Sequence, residues 1–192
     1  MMLRKFAMAV ALMAIVGLAR AELKIGDKAP DIKDVPAVDG KKVSLADYKD
    51  AKAVVVCFTC NRCPVAVAYE DRFVEFTKKY KDKGVKFVAI NVNQGEDLEK
   101  MKQRAEEKGF NFVYAYQDEG TSAKEYGAKV TPHIFVLDGD RKVQYIGAFD
   151  DNQNEDKVSK HYVADAVDSI LAGKKVAVTE TKPVGCGINP KK

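Results

Sequence analysis

The chain has 192 residues, 46% of them hydrophobic and 31% charged, with 32 basic against 28 acidic side chains and a formal charge of +4. That length supports one domain with a full core, so cross-links are not needed for folding. The near-balanced charge gives no reason to expect a nucleic-acid or anionic-membrane partner, because the lysines are spread along predicted helix faces that water solvates.

Residues 1–21, MMLRKFAMAVALMAIVGLARA, have the layout of a secretory signal peptide. Arg4 and Lys5 give the positive start, Phe6 to Leu18 the apolar stretch, and Ala19-Arg20-Ala21 a small-residue cleavage site. Thirteen apolar or small residues are too few to span a bilayer core, which takes roughly 20. The expectation is an exported chain, periplasmic or secreted, with a 171-residue mature form starting near Glu22 and no membrane anchor. The leader carries three of the 32 basic residues and no acid, which leaves 29 basic against 28 acidic, a net +1.

In the mature chain, Asp39-Gly40 between short apolar runs predicts a hairpin turn. AVVVCF, residues 53–58, is a continuous apolar run, as in a strand buried on both faces. From Pro64 the pattern becomes helical: Tyr69, Phe73, Phe76 and Tyr80 share one face, and Gly84 stops the run. VKFVAINVN (85–93) is a second buried strand, and residues 96–109 are a polar helix with a glycine stop. A short extended segment (110–118) and a short helix (121–127) follow, then two strands around a Gly-Asp turn (133–147), and an amphipathic helix (161–174). The predicted domain is 22–174, and 175–192 is an irregular Pro/Gly-rich tail that carries Cys186. Alternation of strands and helices predicts an α/β sheet flanked by helices.

The chemistry-bearing stretch is FTCNRCP. Cys60 and Cys63 lie at the carboxyl end of the first central strand, where ligands gather in open α/β sheets. Proline is favoured at the first helical position, so Pro64 places Cys63 at the helix cap and Cys60 in the preceding loop. Free N–H groups and the helix dipole stabilise a thiolate there. Arg62 between them either favours the thiolate or points to solvent. Which cysteine attacks stays open on these grounds. An exported protein meets oxidants, so these thiols can pair. A disulfide that only stiffens the loop of a binding module is the non-catalytic alternative. A copper or zinc clip using Cys60, Cys63 and His133 lacks the matched second pair that four-ligand sites show, and no metal or organic cofactor is expected. A second element is Thr131-Pro132 ahead of the strand HIFVLD, where a proline belongs at a sheet entry or edge.

Together, IGDKAPDI, SLADYKDAKAVVVCFTCNRCP and VTPHIFVLDGD resemble the thioredoxin-like superfamily, and within it the redoxin branch of alkyl-hydroperoxide-reductase/thiol-specific-antioxidant type, over about residues 24–172. The resemblance implies a thioredoxin-like fold with a central mixed sheet, and a thiol–disulfide oxidoreductase with a redox dithiol at Cys60 and Cys63. It further implies a cis-proline at Pro132 and a Thr131 backbone that pairs with an extended substrate. The implied partners are a protein or small-molecule disulfide and a redox protein that resets the dithiol, with the enzyme itself a monomer. The chain departs from thioredoxin in having no tryptophan, in Thr59 before the pair, and in Asn61-Arg62 between the cysteines. Aligned on Phe58, Phe73 and Phe76, Cys63 falls where thioredoxin keeps its attacking cysteine. Thioredoxin's buried acid beneath the site has no evident counterpart, since Val54 to Val56 are wholly apolar.

The rival is a peroxiredoxin-like thiol peroxidase. Its motif places Thr or Ser three residues before the attacking cysteine and Pro four earlier, where this chain has Cys60 and Val56; Thr59 is one position out. The supporting arginine expected near the later strand is replaced by Thr131, Pro132 and His133. Two thiols remain as auxiliary candidates. Cys57 reads as a small core hydrophobe. Cys186, in PVGCGIN, has three readings: pairing with Cys57, resolving a disulfide at Cys60–Cys63, or standing as a surface thiol. His133 reads as packed and hydrogen-bonded, and His161 as surface or cap.

Overall fold

The protein is described here by a computed structural model covering residues 22–191. The expected leader, 1–21, lies outside the described residues.

An N-terminal hairpin, β1 (Val35–Pro36) and β2 (Lys42–Val43), turns at Gly40, whose φ of +80° is the left-handed conformation that glycine adopts without strain. The central strand β3 (Ala53–Thr59) leads into a short helix α1 (Pro64–Ala68) and the longer α2 (Glu70–Tyr80). Strand β4 (Val85–Asn91), helix α3 (Leu98–Glu107) and strand β5 (Val113–Tyr116) complete a parallel βαβ path. Helix α4 (Thr121–Tyr126) and the two-residue β6 (Val130–Thr131) precede the antiparallel pair β7 (His133–Asp138) and β8 (Val143–Gly147). Helix α5 (Tyr162–Leu171) and a last short strand, β9 (Cys186–Gly187), end the chain.

The main sheet has five strands in the order β5-β4-β3-β7-β8. β3 runs parallel to β4 and antiparallel to β7, so the sheet is mixed, as expected. Every residue of β3 is buried. Its side chains alternate between faces: Ala53, Val55 and Cys57 pack with Phe73, Phe76 and Tyr80 of α2 and with Val163 and Val167 of α5. Val54, Val56 and Phe58 pack on the other face with Ala123 and Tyr126 of α4 and with Ile32, Val35 and Leu45 of the N-terminal segment. Two covered faces explain the continuous apolar run.

The helical run from Pro64 to Tyr80 is broken once. At Tyr69 the backbone tightens, with its N–H bonded to the carbonyl of Ala66 rather than Val65, and α2 restarts at Glu70. The tail holds one two-residue strand, β9, and is otherwise without regular structure. It returns along the sheet edge, where Ile146 N–H bonds Thr179 O at 2.9 Å and Thr181 N–H bonds Ile146 O at 3.0 Å. It then crosses the carboxyl end of the sheet, and β9 pairs antiparallel with β6. Beyond β9, Gln94 N–H bonds Asn189 O at 2.9 Å and Lys191 N–H bonds Asp118 O at 2.7 Å.

Candidate active site

The central strand ends at Thr59, and the next four residues turn from strand to helix. Cys63 is the N-cap of α1 with extended backbone (φ −79°, ψ 117°), and Pro64 follows at the first helical position. Cys60 sits in the loop just past β3. Both thiols are almost completely buried, at 3% and 2% exposure.

Both sulfurs converge on Thr131. Cys60 Sγ lies 3.3 Å from Thr131 Oγ1, and Cys63 Sγ donates to Thr131 O at 3.1 Å. The Thr131–Pro132 bond is cis, as the resemblance implied. Thr131 is itself fully buried.

The two thiols differ electrostatically. Burial pushes Cys60 above the ordinary thiol value, outweighing the hydroxyl of Thr131 and the backbone N–H groups of Cys63 and Arg62. Burial acts in the same direction on Cys63. There the thiol of Cys186, the N–H of Ala66 and the N–H of Cys186 win, and the net shift is downward. The ionised form of Cys63 is thus favoured relative to that of Cys60, by donors from α1 and from the tail.

The tail residue Cys186, like Val65, packs against the buried cluster of Cys60, Cys63 and Ala66. Its own ionisation is pushed up to about 11, first because it donates to the Cys63 sulfur and then by burial and the neighbouring thiols. Of the readings open to Cys186, pairing with Cys57 is not the arrangement found. Cys57 faces the α2–α5 side of the core at 0% exposure, and burial holds its thiol protonated. All four cysteines are free thiols.

Arg62 is exposed, and its guanidinium lies over Gly95, with Nη1 3.4 Å from where a Cβ there would sit. Its charge favours the ionised form of Glu96. Toward Cys60, the contribution of Arg62 comes from its backbone N–H. Thr59 is buried at the end of β3. His133 packs its ring on Phe135, accepts the Lys129 N–H at 3.3 Å through Nδ1, and is held neutral, its pKa lowered to about 4 by burial and then by Lys129. Among the described residues, no group of three or more His, Cys, Asp or Glu side chains is arranged to hold a metal ion. His161 is exposed at the N-cap position of α5, with no capping hydrogen bond from its side chain.

Sequence reasoning missed a polar cluster beside the dithiol loop. Glu96 is 8% exposed. Its Oε1 accepts the N–H of Asn61, between the two cysteines, at 3.0 Å, and its Oε2 accepts Asn91 Nδ2 at 2.9 Å. Tyr114 closes the ring by donating to Asn61 Oδ1 at 2.6 Å. Burial raises the Glu96 carboxyl above the ordinary range, opposed by the donors from Asn91, Asn61 and Arg62. A buried acid therefore does serve this loop, supplied by the turn after β4 rather than by β3. The one signal was Asn91, a polar residue ending the apolar run Phe87 to Ile90 of β4.

The Redoxin family model matches residues 24–163. A thiol-disulfide oxidoreductase ResA from Bacillus thuringiensis (strain Al Hakam) is 30% identical over 146 residues, 73% of this chain and 80% of that protein. Among solved structures, an uncharacterized conserved protein from Geobacillus kaustophilus is 35% identical with a TM-score of 0.82, covering 88% of this chain and 93% of its own. A hypothetical protein from Sinorhizobium meliloti 1021 is 33% identical with a TM-score of 0.82, covering 89% and 97%. With a dithiol loop at the end of the central strand, a cis-proline facing it, and a family match across most of its length, the chain belongs to the Redoxin family and is an oxidoreductase of thioredoxin-like fold.

Proposed function

We propose that the protein is an exported thiol–disulfide oxidoreductase whose working pair is Cys60 and Cys63, with Cys63 as the attacking thiolate. The observation that carries this reading is the asymmetry at Thr131: two sulfurs meet one residue, one with its ionisation lowered and the other with its ionisation raised. The lowered thiol is the nucleophile and the raised one is kept as a protonated reserve. The name of the ResA relative agrees with this chemistry.

In the forward step, the Cys63 thiolate attacks one sulfur of a protein or small-molecule disulfide. A Cys63–substrate disulfide forms and the other substrate sulfur leaves as a thiolate. Cys60 then loses its proton and attacks Cys63, releasing the second substrate thiolate and leaving a Cys60–Cys63 disulfide. Thr131 Oγ1 holds Cys60 within reach of this exchange. A redox partner protein that supplies two electrons returns the pair to the dithiol. Export is supported by the basic start, the short apolar stretch and Ala19-Arg20-Ala21. Among the described residues, no helix is long and apolar enough to cross a membrane.

The test is thiol trapping of the mature protein across a glutathione redox series, with separate Cys60→Ser and Cys63→Ser variants. Reversible closure of Cys60–Cys63 within roughly −120 to −280 mV is the expected result, with a mixed disulfide trapped on Cys63 in Cys60→Ser and none in Cys63→Ser when each variant also carries Cys186→Ser. A pair that stays closed throughout, or never closes, would make the disulfide a staple or disprove it. Turnover of hydrogen peroxide at rates matching disulfide exchange would favour the peroxidase reading instead.

A further inference from the structure

The sheet edge at Thr131 is where a thioredoxin-like enzyme would take an extended substrate by strand addition. In this chain that edge is already taken. Strand β9 pairs antiparallel with β6, with Thr131 opposite Cys186 and Val130 opposite Gly187. Ile188 N–H bonds Lys129 O at 3.1 Å and continues the pairing. The residue before the cysteine is Gly185, and a Cβ there would collide with the carbonyl oxygen of Thr131 and lie 3.2 Å from Pro132 N. No side chain fits that approach, so glycine is what lets the tail backbone lie on the cis-proline loop. The tail is anchored on both sides of this crossing, by Thr181 at β8 and by Asn189 at the turn after β4. The result is a cysteine delivered in a strand to the edge where a client cysteine would be delivered, packed against the buried cluster of Cys60, Cys63 and Ala66.

We propose that Cys186 is a third redox thiol of this enzyme, presented by its own tail as an internal substrate, which exchanges with a disulfide on Cys63. The inference rests on the reading of Cys63 as the attacking thiol. Starting from a Cys60–Cys63 disulfide, Cys186 gives up its proton and its sulfur attacks Cys63. The Cys63–Cys186 bond forms, the Cys60–Cys63 bond breaks, and Cys60 leaves as a thiolate that takes up a proton. No electrons are gained or lost overall. The same attack on a Cys63–substrate disulfide releases the substrate thiolate. The oxidising equivalent in both cases comes from the substrate disulfide. Holding Cys186 in a paired strand makes the exchange intramolecular, with the high effective concentration that brings.

The sequence allows a direct readout, because trypsin cleaves after Arg62 and separates Cys60 from Cys63. The mature protein, reduced and then exposed to limiting oxidised glutathione, is quenched with an alkylating agent, digested and mapped by mass spectrometry. In Cys60→Ser the expected product is a Cys63–Cys186 cross-link with glutathione released. In Cys60→Ser/Cys186→Ser the Cys63–glutathione adduct should persist. Gly185→Val, which cannot hold β9 on Thr131, should form Cys63–Cys186 at least tenfold more slowly than wild type while still forming Cys60–Cys63. A Cys60→Ser protein that keeps its glutathione adduct as long as the double variant does, with Cys186 alkylated, overturns the proposal. So does a Gly185→Val protein that cross-links at the wild-type rate. The dithiol reading is judged separately, on whether Cys186→Ser closes Cys60–Cys63.

Discussion

The sulfur of Cys63 receives donors from two directions, the first turn of α1 and the tail. Its ionisation is lowered in the folded protein, so the thiolate contributes stability that is fully present above the ordinary thiol value of about 8.5. That contribution is lost as pH falls through the lower, folded value. Cys186→Ala removes the side-chain donor and should move the titration midpoint upward, read by thiolate ultraviolet absorbance in a Cys60→Ser background; an unmoved midpoint would show that α1 alone sets it. Glu96 has the opposite sign. Its folded ionisation is raised, so its contribution is fully present below the ordinary carboxylate value of about 4.3 and lost as pH rises through the folded value. Glu96→Gln should therefore flatten the fall in stability that accompanies rising pH in the acidic range, measured by urea unfolding at several pH values. Glu96→Ala should cost about 1–3 kcal/mol, since it strands the buried donors of Asn61 and Asn91. The placement of Cys60 and Cys63 at the strand-to-helix turn was legible in the sequence, because Cys-x-x-Cys-Pro after an apolar run states its own local geometry. Glu96 was not, because its role depends on burial against a loop 35 residues earlier, and in sequence it looks like the start of a polar helix.

Elements with a strong local pattern were equally legible: the apolar runs of β3 and β4, the strands β7 and β8, and the helices α2, α3 and α5 fall where the sequence puts them. The break at Tyr69 left no such mark, for no glycine or proline interrupts the Tyr69, Phe73, Phe76 and Tyr80 face. Its setting is tertiary. Tyr69 OH donates to Asp150 Oδ1 at 3.1 Å, and Arg72, one turn into α2, pairs with the same carboxylate and donates to the carbonyls of Asn152 and Gln153. The Arg72 guanidinium also lies 3.8 Å from the Tyr69 ring centre. This ties the start of α2 to the loop after β8. Both charges are buried, at 8% and 1% side-chain exposure, so removing one partner leaves the other uncompensated. Arg72→Met should destabilise the fold by about 3–5 kcal/mol. Arg72→Met/Asp150→Leu should recover part of that loss, because no lone charge is then left in the core. A loss below about 1 kcal/mol for the single variant would place this pair with ordinary surface ion pairs.

At the scale of the whole molecule, the sheet end that carries the chemistry is covered by the chain's last residues. Local pattern could not reveal this, because the tail has no periodicity and its order comes from backbone bonds to β6, β8 and the turn after β4. The cover has an energetic consequence for any external partner. A client strand that needs the Thr131 edge competes with β9, and its apparent dissociation constant rises as the uncovered fraction falls. Each tenfold drop in that fraction costs a client about 1.4 kcal/mol of apparent affinity. Ending the chain after Pro183 removes β9 and Cys186 and keeps the Thr179 and Thr181 anchors on β8, so the core and the dithiol loop are retained. Such a protein should react severalfold faster with a folded protein disulfide, and its dithiol should be modified faster by a bulky maleimide. Cys186→Ser in the full-length chain keeps the cover and should stay slow toward both. If the shortened protein and Cys186→Ser react at the same rate, the tail leaves the edge faster than clients arrive, and its effect on the site is carried by the Cys186 sulfur alone. If the shortened protein is faster and Cys186→Ser is not, strand β9 is a gate as well as a carrier of the third thiol.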